Sequence, residues 1–143
     1  MHRVPEPDLM NDAAQAQAYA LADFSEPHNR FVDQFRRCFP HSRPARVLDL
    51  GCGAADVTLR FARAYPECCM LGVDGAPAML RHAHGAVAGA GMGGRIQLMC
   101  VRLPQAAHIP GGFDSVISNS LLHHLQDPAI LWEALKSHGR AGT

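Results

Sequence analysis

Two aspartates and two glycines form the part of this sequence that could do chemistry. Gly51 and Gly53 alternate directly after a short apolar run, and Asp49 lies within that run. Glycines at this spacing allow a tight turn and let the backbone approach a ligand closely, because no Cβ intrudes. Asp74 follows the next apolar run, where a carboxylate can accept hydrogen bonds from both hydroxyls of a ribose. Together these residues predict a site for an adenosine-type ligand.

Each of these signals has a simpler explanation when it is taken alone. A Gly-x-Gly segment is also what a short strand-to-helix turn needs, and an aspartate after a strand is often a helix cap. Their combination at two successive strand ends is what favours a nucleoside ligand. A dinucleotide is disfavoured, because Asp56 stands where the dinucleotide fingerprint has its third glycine and would repel a pyrophosphate.

Strands and helices alternate along the chain in a way that would bring these residues to one edge of a sheet. Helical patterns separate the apolar runs, and Asp127 and Pro128 are expected to cap and open the last helix. Alternation of this kind predicts an α/β fold with a parallel sheet, whose ligands bind at the carboxyl ends of the strands. Four strands are predicted, near residues 46–50, 69–73, 95–101 and 113–118.

The first 44 residues differ in composition from the rest of the chain and are predicted to form helices only. Strong helix formers run through residues 12–21, and a second helix with a buried stripe is expected near Pro27. We therefore divide the chain into an amino-terminal helical segment, residues 1–44, and a sheet-containing domain, residues 45–143.

The composition argues against several classes of protein. The 143 residues carry 13 basic and 13 acidic side chains, so no net field favours nucleic acid or an anionic membrane. No apolar run approaches the roughly 18 residues of a transmembrane helix, and residues 1–10 lack the apolar core of a signal peptide. The five cysteines favour reduced, buried thiols, and the nine histidines show no zinc-ligand spacing. We expect a cytoplasmic protein with no metal, membrane or nucleic-acid partner.

Three segments, in order along the chain, resemble motifs of the class I S-adenosylmethionine-dependent methyltransferases. Residues 47–53 resemble the first motif, residues 71–80 the second, and residues 113–125 the motif of the fourth strand. This resemblance implies a Rossmann-like, doubly wound parallel sheet, with about four of the family's seven strands present. It also implies S-adenosylmethionine as the cofactor and S-adenosylhomocysteine as the product.

The resemblance further implies roles for the matching positions. Asp49 and the backbone of Gly51 and Gly53 would face the methionine part of the cofactor, while Asp74 would hold the ribose hydroxyls. The remaining cofactor-binding residues would lie along its adenine and sulfonium sides: Gly75, Ala76, Met79, Val101, Arg102, Ser118 and Asn119. The amino-terminal helices would resemble a lid over the cofactor, or would pack on the core, through Tyr19, Phe24 and His28.

The sequence departs from the family pattern at two positions. Ala55 stands where a third glycine is usual, and no acid follows the third strand, where the backbone near Val101 and Arg102 would substitute. No catalytic residue is assigned. His123 and His124 are explained most simply as one histidine packed under the last helix and one in solvent.

These features predict methyl transfer from S-adenosylmethionine to an acceptor that is a small molecule by elimination, since no basic stripe indicates nucleic acid. The alternative is a non-catalytic S-adenosylmethionine-binding or regulatory module, and a dinucleotide-binding oxidoreductase is less favoured. The last residues resemble the loop before a fifth strand. We therefore expect either a truncated methyltransferase or a homodimer that pairs through the exposed edge of the fourth strand.

Overall fold

A computed structural model describes residues 11–142, which form a four-stranded parallel sheet with helices on both faces. Residues 1–10 of the predicted amino-terminal segment and Thr143 lie outside the described residues. Within residues 11–142, no helix has the length and apolar character that crossing a bilayer requires. The strands are β1 (Arg46–Leu50), β2 (Cys69–Asp74), β3 (Ile96–Cys100) and β4 (Ser115–Ile117), in the order β3-β2-β1-β4.

Five α-helices and one short 3₁₀ helix accompany these strands in the described part of the chain. Helices α1 and α2 precede the sheet, α3 follows β1, α4 follows β2, and α5 follows β4. Their bounds are Ala13–Leu21 for α1, Ser25–Cys38 for α2, Asp56–Ala64 for α3, Pro77–Gly89 for α4 and Ala129–His138 for α5, with the 3₁₀ helix at Leu122–His124.

The strand order reverses at β1, which is the central strand of the site. The chain runs outward from β1 through β2 to β3, and then returns to place β4 on the other side of β1. Crevices at the carboxyl ends of strands, next to such a reversal, are where open α/β sheets bind ligands. The α/β, Rossmann-like fold predicted from the sequence is confirmed.

Both faces of β1 are buried, and its residues alternate between two apolar clusters. Val47 packs into a cluster with Phe61 of α3 and Val87 of α4, whereas Leu48 packs on the opposite face with Leu131 of α5. Coverage on both faces explains why the strand sequence is an apolar run rather than an alternating one. The buried polar residue of the strand, Asp49, therefore needs an explanation from the site.

The first two helices pack on the helices that follow β1 and β2. Phe35 of α2 meets Phe61 of α3 edge to face, with ring centroids 4.9 Å apart. Ala16 of α1 is buried against Ala78 and Met79 of α4. The helical segment therefore lies beside the turns that end β1 and β2.

Three details differ from the sequence expectations. Helix α5 begins at Ala129 rather than Pro128, although Pro128 has helical dihedral angles, and the Asp127 side chain accepts the Ala129 N–H at 2.9 Å as expected of a cap. Strand β4 is shorter than expected, since the chain around Phe113 pairs instead with Gly139. All five cysteines are free, but the expectation that they are buried is wrong for three of them: Cys38, Cys69 and Cys100.

The outer edge of β4 is paired only at its base. The Phe113 N–H donates to the His138 carbonyl at 3.0 Å, and the Arg140 N–H donates to the Phe113 carbonyl at 2.9 Å. Beyond this point β4 is the last strand of the sheet, so its outer edge has no strand partner among residues 11–142.

Candidate cofactor site

A cavity opens where the carboxyl ends of β1, β2 and β4 meet. Its volume is about 710 Å³, and a second cavity of about 310 Å³ adjoins it. These volumes fall within or near the range of roughly 300–1,000 Å³ that is usual for small-molecule sites. The residues that border both cavities are Tyr19, Phe24, Gly51, Gly53 and Asn119.

The turn after β1 requires glycine at two positions. Gly51 and Gly53 have φ values of +75° and +55°, in the left-handed region that side chains disfavour. A Cβ on Gly51 would lie 2.9 Å from Cδ1 of Leu121, and one on Gly53 would lie 3.3 Å from Cε of Met79. The N–H groups of Gly51 and Cys52 donate to the Val73 carbonyl at 2.8 and 2.9 Å, which fixes the turn against β2.

Ala55 occupies the position of the missing third glycine and is also left-handed. Its φ is +68°, its side chain is fully buried, and it stands at the N-cap of α3. A left-handed conformation costs an L-residue roughly 1–2 kcal/mol. The methyl group therefore does not change the shape of the turn but is accommodated in it under strain.

Asp74, at the end of β2, ties two turns together. Its Oδ2 accepts the Gly53 N–H at 2.9 Å, and its Oδ1 accepts the Ala76 N–H at 2.8 Å. Burial raises the pKa of Asp74, although these backbone hydrogen bonds and the nearby His124 favour the charged form. Each carboxylate oxygen can accept a second hydrogen bond, and Asp74 borders the larger cavity. Asp74 thus holds the turn before α4 and can also accept a hydrogen bond from a ligand in the larger cavity.

Asp49 is the most deeply buried carboxylate of the site. It is 2% exposed, borders the smaller cavity, and accepts a hydrogen bond from the Thr58 hydroxyl at 2.7 Å. Burial raises the pKa of Asp49 to about 7; the Thr58 bond opposes this rise and the charge of Asp74 adds to it. A cationic group in the smaller cavity would favour the ionised carboxylate, so the position suits an ammonium. Sequence reasoning missed Thr58, whose signal is a lone hydroxyl on the apolar face of α3.

The other predicted cofactor residues fall into two groups. Most of them border the larger cavity, and the backbone there is held by the Val101 N–H, which donates to the Asp74 carbonyl at 3.0 Å. Ala76 and Ser118 are not among the residues that line either cavity: Ala76 is buried with the α4 residues, and the Ser118 hydroxyl donates to the Leu50 carbonyl at 2.9 Å. The lining residues are Gly75, Met79, Val101, Arg102 and Asn119.

Aromatic residues of α1, α2 and their connection cover the cavities. The rings of Tyr19 and Phe24 are 4.8 Å apart, and those of Phe24 and His28 are 5.5 Å apart. Tyr19 and Phe24 border both cavities, which places the amino-terminal helices over the site.

An ion-pair network that sequence reasoning did not foresee fixes this cover. Nδ1 of the buried His28 lies 2.5 Å from Oδ2 of Asp56, and the same oxygen accepts from Nε of Arg60 at 2.7 Å. Burial would raise the pKa of Asp56, but the hydrogen bonds from Arg60 and His28 outweigh it and the pKa is lowered. Asp56, considered in the sequence only as an obstacle to pyrophosphate, therefore joins α2 to α3.

His123 and His124 both border the larger cavity. Their rings stack with centroids 4.1 Å apart, on the 3₁₀ helix that follows β4. His123 is exposed, as expected for one of the pair, whereas His124 is half-buried beside the larger cavity. Across residues 11–142, no group of three His, Cys, Asp or Glu side chains is placed to hold a metal ion.

The geometry and the sequence identify the family. Residues 47–141 match the family model described as a methyltransferase domain. The chain belongs to the class I S-adenosylmethionine-dependent methyltransferases. The site fits the family's cofactor, because two left-handed glycines leave a cradle that side chains would fill, and the buried Asp49 and the half-buried Asp74 stand beside it.

Particular relatives show how far the likeness extends. Trans-aconitate 2-methyltransferase from Deinococcus radiodurans is 35% identical over 122 residues, which cover 81% of this chain and 43% of that protein. The N-terminal domain of EvdMO1, solved with S-adenosylhomocysteine bound, is 28% identical with a TM-score of 0.67, covering 79% of this chain and 47% of that one. The chain spans less than half the length of the curated relatives it matches.

One likeness concerns the fold alone. The structure of a Methanococcus maripaludis protein, assigned as an S-adenosyl-L-methionine-dependent methyltransferase, has a TM-score of 0.80 at 16% identity. It covers 99% of this chain and 64% of that protein.

The raised pKa of Asp49 gives the first prediction. With a folded-state pKa of about 7 and an ordinary value of 3.8, the folded chain holds a proton that the unfolded chain has released. Stability therefore falls as pH rises through this window. Relative to Asp49→Asn, whose amide oxygen can still accept from Thr58, we expect wild-type stability to fall by roughly 2 kcal/mol between about pH 5.5 and pH 8.5, measured by urea denaturation.

The matched control for Asp49→Asn is Asp33→Asn. Asp33 is an exposed aspartate of α2 and makes only a 3.7 Å contact with Arg36. Its variant should follow the wild-type pH dependence. If Asp49→Asn loses stability in parallel with the wild type across the same range, the carboxylate is not the buried, protonated group described above.

The strained Ala55 gives the second prediction. Ala55→Gly relieves the left-handed strain but removes a buried methyl worth about 0.8 kcal/mol, so its unfolding free energy should stay within about 1 kcal/mol of wild type. Ala55→Val adds a branched side chain at a positive φ in filled space, and should lose at least about 2 kcal/mol in urea denaturation. Ala88→Val, on the exposed side of α4, is the control and should change little. A stable Ala55→Val protein would contradict the left-handed turn.

Proposed function

We propose that the chain forms the cofactor-binding part of an enzyme that transfers the methyl group of S-adenosylmethionine to a small-molecule acceptor. The observation that carries this proposal is a pair of carboxylates, the buried Asp49 and the half-buried Asp74, near the ends of adjacent strands beside one glycine turn. The family match supports the chemistry. The relative from Deinococcus radiodurans is named for trans-aconitate, a small organic acid, which supports a small acceptor.

Each lining residue has a role that follows from its surroundings. Asp49 would pair with the cofactor's ammonium, which offsets the cost of burying that carboxylate. Asp74 would accept the ribose hydroxyls with its remaining lone pairs, and Gly53 would let the cofactor approach the backbone. The adenine would lie among Gly75, Met79, Val101 and the backbone of Arg102, with Asn119 toward the sulfonium.

Two of the predicted cofactor residues, Ala76 and Ser118, would act by holding other groups of the site in place. The Ala76 N–H orients the Asp74 carboxylate, and the Ser118 hydroxyl joins the end of β4 to β1. Both would be positioning residues that make no contact with the cofactor.

The chain's contribution to methyl transfer would be alignment and exclusion of water. The cofactor supplies a methyl carbon that its sulfonium already activates. Holding an acceptor in line with that carbon can supply several kcal/mol of the barrier. We assign the amino-terminal helical segment the role of a lid, because Tyr19 and Phe24 border both cavities and the His28–Asp56 pair fixes α2 beside the glycine turn.

A homodimer remains part of the proposal. The outer edge of β4 beyond Phe113 offers unpaired backbone groups to a second copy, as unpaired sheet edges commonly do. Light scattering over a concentration series should show dimer at high concentration, and a monomer throughout would contradict edge pairing.

The decisive test of the site is Asp74→Ala. The substitution removes the carboxylate that would accept hydrogen bonds from the ribose hydroxyls, and it loosens the glycine turn. Calorimetric titration with S-adenosylhomocysteine should therefore show at least about tenfold weaker binding. Asp12→Asn is the control, because Asp12 also accepts a backbone N–H, that of Gln15, but borders neither cavity. Unchanged affinity in Asp74→Ala would remove the ribose assignment.

Two further measurements separate the alternatives. Wild-type chain titrated with NAD should show no binding; tight NAD binding without binding of S-adenosylhomocysteine would favour the oxidoreductase. Incubation with methyl-labelled S-adenosylmethionine and a metabolite extract should transfer label to a small molecule. Binding without transfer would instead support the non-catalytic module.

A further inference from the structure

The two oxygens of Asp49 have different surroundings. The Thr58 hydroxyl donates to Oδ2 at 2.7 Å, and within residues 11–142 it is the only hydrogen-bond donor to this carboxylate. The same part of the chain has a single side-chain oxygen or nitrogen that is sealed from solvent without a partner, and that atom is Oδ1 of Asp114. Oδ1 of Asp49 therefore reaches accessible space, and the space that Asp49 borders is the smaller cavity.

Thr58 sets which oxygen of Asp49 faces that cavity. It lies on α3, is fully buried, and borders neither cavity, so its hydroxyl is not available to a ligand in them. By holding Oδ2 against α3, the hydrogen bond leaves Oδ1 as the acceptor on the cavity side. Thr58 therefore acts on a ligand only through Asp49.

The strands beside β1 supply no cation to Asp49. The residues directly opposite it in β2 and β4 are Gly72 and Ile117, neither of which can titrate. At the end of β2, Asp74 adds a like charge, which disfavours ionisation of Asp49. The strands thus leave the carboxyl group without a counter-ion.

The helices around the smaller cavity do not neutralise Asp49 either. His28 of α2 and Arg60 of α3 border the cavity, but both pair with Asp56. The other titratable groups that border this cavity make no hydrogen bond to Asp49; they are Tyr19, Asp23, Cys52 and His82. A cation for Asp49 would therefore come from a ligand.

We propose that Thr58 is a positioning residue that presents Oδ1 of Asp49 to the cofactor's ammonium, and that the Asp49 carboxyl group releases a proton when this ammonium binds. The inference rests on the proposed function, which places the ammonium beside Asp49. The O–H bond of the carboxyl group breaks, its electron pair stays on oxygen, and the proton passes to the solvent. The carboxylate and the ammonium then form an ion pair in the smaller cavity.

The coupling follows from the two environments of the carboxyl group. Burial raises the pKa of Asp49 to about 7 in the chain without ligand, and the Thr58 hydrogen bond opposes this rise. An adjacent ammonium favours the ionised form and lowers the pKa. Binding and proton release are thus linked, so affinity rises with pH until Asp49 is ionised in the free chain and then levels off.

The first experiment counts protons by calorimetry in buffers of different ionisation enthalpy. At about pH 6, binding of S-adenosylhomocysteine to the wild-type chain should release roughly 0.7–1 proton. Its affinity should be at least about tenfold tighter at about pH 7.5 than at about pH 5.5. Methylthioadenosine, which has the adenosine but no ammonium, should release none. Equal release by both ligands would overturn the assignment to the ammonium.

The second experiment tests Thr58 as a positioning residue. Thr58→Val removes the hydroxyl that opposes the raised pKa of Asp49, so the pH at which S-adenosylhomocysteine affinity levels off should rise by roughly half a unit or more. Methylthioadenosine affinity should change less than about twofold, and Thr58→Ser should restore the wild-type pH profile. A purely structural role would weaken both ligands and leave that pH unchanged.

Two further variants identify the group that loses the proton. Asp49→Asn should bind S-adenosylhomocysteine without proton release and with an affinity independent of pH, whereas His82→Gln should keep the wild-type release. Loss of release in His82→Gln would assign the proton to that imidazole and overturn the inference.

The inference and the proposed function fail in different ways. Failure of S-adenosylhomocysteine to bind the wild-type chain would overturn the cofactor site and the proposed function. Binding without proton release would overturn the role of Asp49 and Thr58 alone. The wild-type proton count decides between these outcomes and does not depend on the folding of any variant.

Discussion

The site depends on one carboxylate that holds two turns together. Asp74 accepts the N–H of Gly53 from the turn after β1 and the N–H of Ala76 from the turn after β2. These turns meet because β1 and β2 are adjacent and in register, with Leu50 opposite Val73. A single side chain thus converts two neighbouring strand ends into one rigid edge, and the cavity takes its shape from that edge.

This rigidity is obtained at a cost in stability. Ala55 holds a left-handed conformation, and Asp49 is buried deeply enough to favour its neutral form. Strained backbone and buried polar groups concentrate at functional sites because the surrounding structure over-determines them. Here the surroundings are the two apolar clusters on either face of β1, and the missing stabilisation of Asp49 would come from a cationic ligand.

Features set by local pattern could be predicted from the sequence, and features set by long-range contact could not. The alternation of strands and helices, the glycine turn and the place of Asp74 at the end of a strand follow from short motifs and from the apolar runs. Thr58 as the partner of Asp49, and His28 as the partner of Asp56, depend on where helices pack, which no spacing rule specifies. The start of α5 differs from the expectation by one residue only, and the predicted capping role of Asp127 is confirmed by its hydrogen bond from the Ala129 N–H.

Under the proposed function, the polar groups of the site would surround the cofactor on two sides. Carboxylates lie on the side of β1 and β2, where an ammonium and ribose hydroxyls need acceptors. Imidazoles lie beyond the end of β4, on a 3₁₀ helix whose Leu121 neighbour closes the space above Gly51. Because Leu121 limits the glycine turn and His123 and His124 follow it directly, a change in this short segment would alter both the turn and the nearby wall of the larger cavity.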